Sequence, residues 1–581
     1  MSTVKIPDSN VAAIECKYVA YQEALDGSKD DMMLVKEVVH TKDNRQVPRK
    51  RLIENFKRPV YITKPNRRNH QDKKEYEHID NLDRYDCNQA RLSETIQRGL
   101  GRRIPNPKLR LADVCKDPYV YFADMTSPTL YKAMYKRKYP DAVSRNKVAV
   151  LDIETDVVFG TGEPIMVAVT MGEKKIIAVA DWWAKKVPDF QAKLEERFKY
   201  HLSSVDIPNK KGVKEKRDLI KERGGDLIII SDKNIALGFK EVMDQVHEWM
   251  PDFLAVWNLD FDLPKLMAIC DKYGVSHEDV WCDPTVPPKY RNVWYKQAKS
   301  VRETNSKKIS QHPADLWHVL FTMAGFYVID AMAAFKKVRV AAGNEPDYKL
   351  DGVLGRHLGI GKLRVKGVKA VEGDIKWHVE MQKEKPVDYC VYNLFDCISV
   401  ELLDEKTNDL GVVIPVLADI SEYSIFPSLP KRLVDILSFF YIDRNLVPGT
   451  CGAAQEDIMD EGIVELSGWI VTLPAHMVQD NGLKCVKDLP DLVTTFYAQV
   501  GDDDIKQAYP TGEIIMNISK ETTAIEIKSI QGVSDAARRR SGINLTGGQV
   551  NAIEIANELF NKPSIHDVLP VFMDDLERGL V

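Results

Sequence analysis

The chain has 581 residues, 44% hydrophobic and 29% charged, with a net charge of −5 at pH 7. This composition supports full hydrophobic cores in about three or four domains and excludes global disorder. No apolar run reaches the ~18 residues of a membrane span, the first residues hold no apolar signal core, and nine scattered cysteines without a Cys-x-x-Cys pair suggest neither a disulfide framework nor a zinc ribbon. The expected setting is a reducing cytoplasm.

In chain order, residues 1–145 read as a polar, basic N-terminal domain. Its segment 42–74 holds twelve Lys/Arg against three Asp/Glu, with Phe56 and Tyr61 interleaved. Such a stretch suits phosphate binding, but a solvated face on a poorly ordered segment explains it at least as well. After a boundary at 145/146, Val148-Ala-Val-Leu-Asp152-Ile-Glu154-Thr155 reads as a buried strand. Side chains two apart on a strand share a face, so Asp152 and Glu154 are placed to share a metal ion. Further strands are expected at 165–170, 176–180, 227–231 and 253–257, an inserted helix or loop at 209–223, and a helix at 240–250 on the spacing of Val242, Val246 and Met250. Together they predict an α/β domain over 146–408. Residues 409–455 read as a helical connector. The segment 456–581 is expected to carry strands at 468–473 and 494–500 and a terminal amphipathic helix with Ile553, Ala556, Leu559 and Phe560. The whole is an α/β (α+β) multidomain chain.

Two more acidic sites follow the first. Asn258-Leu-Asp-Phe261-Asp262 stands where a strand runs into a helix, and Tyr392-Asn-Leu-Phe-Asp396 places a tyrosine and an acid on one helical face. Each alone has a plain reading, an N-cap for Asp262 and an exposed helix acid for Asp396. Their order, Asp-x-Glu, Asn-x-x-Phe-Asp, Tyr-x-x-x-Asp, resembles the 3′→5′ proofreading exonucleases of the RNase H-like fold. The segments around Asp330 and Asp351 resemble the corresponding family text. The resemblance implies that Asp152, Glu154, Asp262 and Asp396 hold two Mg²⁺ or Mn²⁺ ions and that Tyr392 orients the attacking water.

Farther on, Asp502-Asp-Asp504-Ile505-Lys-Gln507-Ala508-Tyr509-Pro-Thr511 resembles the first palm motif of family B DNA polymerases. By that resemblance Asp504 and the Ile505 carbonyl bind the catalytic metals, and Tyr509 packs under the incoming deoxynucleotide's sugar. Gln507 and Ala508 replace the family's Ser-Leu, and Leu466-Ser-Gly468-Trp469 replaces its Tyr-x-Gly-Gly linker. Only 77 residues follow Asp504, and neither the fingers motif nor the palm's Asp-Thr-Asp is among them.

The chain is therefore expected to be the N-terminal subunit of a split family B polymerase of the large tailed-phage type, acting in the cytoplasm of a bacterial host. Its implied partners are primer-template and single-stranded DNA, a deoxynucleotide at the completed palm, a C-terminal polymerase subunit that shares Mg²⁺ there, and a sliding clamp as a further candidate; no membrane is implied. The alternatives are a stand-alone exonuclease with a vestigial palm and a non-catalytic primer-template scaffold. Gly355-x-x-x-Gly359-x-Gly361-Lys362 departs from a phosphate loop, because the first glycine is misplaced and Leu363 lacks a hydroxyl. Trp257 and Phe261 are candidates for stacking on bases, with a core role favoured for Trp257.

Overall fold

The computed structural model describes residues 8–450, apart from 72, 209–213, 233, 304–307, 341–342 and 371–373. All described residues belong to one compact unit, Met1–Gly452, so the expected boundaries at 145/146 and 408/409 fall inside it. The palm-like text with Asp504, Ile505, Gln507, Ala508 and Tyr509, the linker at 466–469, the strands at 468–473 and 494–500 and the terminal helix lie outside the described residues.

The N-terminal part is built on an antiparallel meander of β1 (Val11–Glu23), β2 (Asp31–Thr41) and β3 (Gln46–Glu54). The middle strand β2 is buried almost throughout, including the charged Asp31, Lys36 and Glu37, which must find partners there. The Lys36 ammonium donates to the Met250 and Pro251 carbonyls at 2.7 and 3.1 Å and pairs with Asp252 at 3.2 Å. Glu37 accepts from Arg49 at 2.6 Å and from the Tyr135 hydroxyl at 2.7 Å, the latter on α1 (Ser127–Lys138). The reading of 42–74 as a poorly ordered face is thus corrected: β3 and the strand Arg58–Thr63 occupy it. Several of its cations are also engaged internally. Arg49 pairs with Glu37, Lys50 with Asp283, and the buried Arg58 donates to the Phe122 carbonyl at 2.7 Å.

The larger part is a six-stranded mixed sheet. Its strands are β4 (Val148–Thr155), β5 (Pro164–Met171), β6 (Lys174–Ala180), β7 (Ile228–Asp232), β8 (Phe253–Val256) and, after the two-stranded ribbon of β9 (Val293–Lys296) and β10 (Val319–Thr322), β11 (Tyr327–Asp330). The strand order is β7-β6-β5-β4-β8-β11. β4, β5 and β6 run antiparallel in turn, β7 is parallel to β6, and β8 and β11 are parallel to β4. Strands this continuously apolar need cover on both faces. On one face lies α3 (Ile235–Trp249), where a Cβ on Gly238 would come within 3.1 Å of the Ala178 Cβ, a separation that favours glycine. The opposite face, that of Asp152 and Thr170, is covered by α7 (Pro386–Thr407), through Asn393 bonded to Asp152 and Glu401 to Thr170.

The remaining named helices are α2 (Phe190–Leu202), α4 (Leu259–Tyr273), α5 (Ala331–Val338), α6 (Ile375–Glu384) and α8 (Leu429–Ile442). The expected helix or loop at 209–223 instead includes a hairpin strand, Lys214–Arg217 paired with Val205–Pro208, followed by the short helix Leu219–Arg223. The segment after α7 is helical as expected, entering through a π-helical turn at Asp409–Val413. In α8, Asp435 and Ser438 face inward because Ser421 and Lys431 each donate to Asp435 at 2.7 Å, while Leu433, Ile436, Leu437 and Phe440 stay exposed. Among the described residues no helix is long and apolar enough to cross a membrane.

Candidate active site

Three elements deliver the acids. Strand β4 sits inside the sheet, and Asp152 and Glu154 point from one of its faces with some access to solvent. Helix α7 crosses that face. Its residues 389, 392, 393 and 396 are spaced to face one way, so Tyr389, Tyr392, Asn393 and Asp396 form a single polar stripe in a buried helix. Asn393 donates to Asp152 at 2.6 Å, and the Tyr389 hydroxyl donates to Glu154. Helix α4 supplies Asp262, buried in its first turn. The capping position belongs to Asn258 rather than Asp262, which leaves the Asp262 carboxylate free of that duty. Asp330 fixes where α4 starts. One of its oxygens accepts from the Leu259 amide at 3.0 Å, and the other caps α5 by accepting from Ala333 at 2.8 Å.

Asp152, Glu154 and Asp396 each offer a carboxylate oxygen, and the three oxygens lie within 4.8 Å of one another. These residues could hold a metal ion. Asp262 is outside that group of three but close enough for its charge to act on Asp152. One buried oxygen of Asp396, Oδ1, has no hydrogen-bond partner. A buried carboxylate oxygen without a donor is costly, and a cation is the natural satisfier for it. The donor set is all oxygen, which suits a hard divalent ion.

Burial raises every one of these acids. It pushes Asp152 well above the usual carboxylate range, with Asp396, Asp262 and Glu154 adding to the effect. It carries Glu154 to about 7 against the Tyr389 hydrogen bond, and Asp262 to about 8 against the attraction of Lys265. Asp396 is raised by burial and held down by Lys362. That lysine is the main residue the sequence did not expose. Its ammonium lies 2.5 Å from Asp396 Oδ2 and 2.9 Å from the Tyr392 hydroxyl. Burial opposes its charge, but Asp396, Tyr392 and Asp152 outweigh burial and hold it well above the ordinary lysine range.

Lys362 closes the glycine-rich segment that departs from a phosphate loop. No spacing rule connects it to Asp396, and only the fold brings them together. Its backbone amide donates to Asp351 at 2.8 Å, which gives that acid a positioning role. Tyr389, Asn393 and His378 were likewise missed, although Tyr389 and Asn393 follow from the same helical face as Tyr392 and Asp396. His378 lies 2.8 Å from the Tyr389 hydroxyl and 3.7 Å from Glu154. Of the two aromatic candidates, Trp257 packs on Phe335 and donates to the Tyr348 carbonyl at 3.1 Å, a core role. Phe261 is 53% exposed, next to Asp262, with the Lys265 ammonium 3.1 Å from its ring centroid.

The crowded acids have a measurable consequence. A carboxylate whose folded pKa is raised adds stability below its unfolded value and loses it as pH rises through the folded value. For Glu154 and Asp262 the windows run from about 4.5 to about 7 and from about 3.8 to about 8. The metal-free protein is therefore expected to lose thermal stability between pH 5.5 and 8.5 by a few degrees, roughly 2 °C or more. Mn²⁺ is expected to restore it at the alkaline end, because a ligand bound only by the folded state stabilises it. Differential scanning calorimetry with and without chelator checks both, and a Tm indifferent to Mn²⁺ at pH 8 counts against a metal site.

No family model matches the chain, and no curated protein matches it.

Proposed function

We propose that the chain is a two-metal 3′→5′ exonuclease acting on single-stranded DNA ends, and that it serves as the editing part of a split family B DNA polymerase. The observation that carries the nuclease reading is the meeting of Asp152 and Glu154 with Asp396, from a helix more than two hundred residues later, within 4.8 Å. Asp262 and Tyr392 border the same place. The mixed sheet, in which β4 joins the antiparallel strands β5 and β6 to the parallel strands β8 and β11, supports the RNase H-like reading. The polymerase part of the reading rests on the sequence resemblance around Asp504 and Tyr509.

Two Mg²⁺ or Mn²⁺ ions on Asp152, Glu154, Asp262 and Asp396 would stabilise the attacking and leaving oxygens of an in-line phosphodiester displacement. The protein's own groups do the rest. Burial keeps the Tyr392 hydroxyl protonated at neutral pH, so it serves as a hydrogen-bond donor to water or a phosphate oxygen. Lys362 donates to that hydroxyl's oxygen, which sharpens its donor character and leaves its proton available. Asn393 and Tyr389 hold Asp152 and Glu154 in orientation from the second side. Phe261 offers an exposed ring beside Asp262 on which a terminal base can stack.

The test is digestion of a 5′-labelled single-stranded oligonucleotide. A ladder shortening from the 3′ end, dependent on Mg²⁺ and abolished by chelation, is expected. Absence of metal-dependent cleavage by the pure chain overturns the reading and favours the scaffold. Primer extension by the chain alone would sink the split-subunit assignment while leaving the nuclease intact.

A further inference from the structure

The ribbon of β9 and β10 carries two aromatic rings that no part of the catalytic reading uses. Trp294 and Phe321 are directly opposed across its strands, with ring centroids 4.8 Å apart and planes 17° from parallel. Trp294 is 53% exposed and Phe321 37%. Phe321 is the one exposed residue of β10, whose other three are buried. A cross-strand aromatic pair stabilises a ribbon whether or not it is covered. A stacked pair with a largely open indole additionally presents a flat, apolar surface to solvent.

The other face of the same ribbon grips the catalytic turn. The Tyr295 hydroxyl donates to Asp260 at 2.7 Å and Gln297 donates to it at 2.9 Å. Asp260 lies in the first turn of α4, two residues before Asp262. Alternation along β9 therefore turns Tyr295 toward the acidic site and Trp294 outward. Charge points to a polyanion. Between Trp294 and Phe321 the sequence has five basic residues, Lys296, Lys299, Arg302, Lys307 and Lys308, against Glu303 and Asp315. Lys296 and Lys299 are exposed near Trp294 in the chain, and Asp315 is already paired with Lys336 at 2.6 Å.

We propose that the Trp294–Phe321 pair is a stacking platform for an unpaired base of single-stranded DNA, with Lys296 and Lys299 meeting the flanking phosphates. The strand is a substrate held by the ribbon that also holds the Asp260–Asp262 turn. The assignment of that strand as substrate rests on the nuclease reading; the stacking itself does not.

The experiment measures binding, not cleavage. The full chain in chelator is titrated into a fluorescently labelled oligothymidylate of about ten nucleotides and followed by anisotropy. Trp294→Ala is expected to weaken binding by about 5- to 100-fold, the range for losing one base–aromatic stack, and Trp294→Phe to recover most of it. An oligonucleotide with one abasic position is expected to bind the parent more weakly at one register and to cost Trp294→Ala nothing further there. Parent-like affinity of Trp294→Ala overturns the proposal, as does an abasic loss that adds fully to that of the variant. Loss of association with another protein, at unchanged oligonucleotide affinity, also overturns it and marks a protein interface. The abasic arm needs no substitution, so a variant that folds poorly does not blunt the test. Weakened binding by Trp294→Ala in a chain that never cleaves DNA would leave the platform standing and the nuclease reading fallen.

Discussion

Replacing Asp152 and Glu154 together by alanine is expected, on the proposed two-metal reading, to lower metal-dependent 3′-end digestion by at least about a thousandfold, since two ions would stabilise both oxygens of the displacement and the pair would supply half of their acids. The two side chains have no other heavy duty. Each accepts one hydrogen bond from α7, and each keeps some contact with solvent. Their removal also relieves the Glu154 charge that helps raise Asp262, so the metal-free variant should be no less heat-stable than the parent by more than a degree or two. Loss of digestion with retained Tm separates a chemical role from a structural one. Asp271→Ala, removing an exposed acid whose partner is His277, is the control and should digest normally. Parent-like digestion by the double variant would contradict the site assignment, whatever its Tm.

The second large effect concerns stability. Arg223→Met is expected to destabilise the described unit by about 3 kcal/mol, the usual cost of leaving a buried charge without its partner. Glu401 lies inside, where its carboxylate accepts from Arg223 at 2.8 Å, from the Gly172 amide at 2.7 Å and from the Thr170 hydroxyl. Both side chains are almost inaccessible, 6% for Arg223 and 7% for Glu401. Burial already raises Glu401, and Arg223 is the principal group opposing that rise. Removing it leaves α7 with an unpaired acid pressed on the end of β5. Urea denaturation followed by circular dichroism reads the change. Arg223→Met with Glu401→Gln should recover part of the loss, because the second change removes the orphaned charge. A single variant as stable as the parent would show that the pair is not desolvated in solution.

The acids of the site were legible in the sequence because their chemistry is local. Asp152 and Glu154 announce themselves by strand alternation, Tyr392 and Asp396 by helical spacing, and Asp262 by its place just after a strand. Lys362 was not legible. It reaches Asp396 from a connecting segment with no periodicity, and its meaning depends on a contact between residues 34 positions apart. The basic segment 42–74 misled for a related reason. Composition counts charges but does not say which way they face, and Lys50 and Arg58 face partners inside the protein. Similarly, Trp294 and Phe321 look like ordinary strand residues until the ribbon's register sets them opposite each other.

The buried ammonium of Lys36 has a practical corollary for anyone trimming this chain. It enters from β2 and ends on the carbonyls of Met250 and Pro251 and on Asp252, at the very start of β8. On the same strand, Met32 and Leu34 share one apolar cluster with Ala20, Cys282, Val286, Tyr290 and Met323. A fragment beginning at residue 146 would keep every acid of the candidate site. It would also open that cluster to water and strip three oxygen acceptors of their shared donor, beside the strand that leads into the Asp262 turn. The smallest fragment that keeps the candidate site intact therefore begins at the first strand of the meander, not at the first acid of that site.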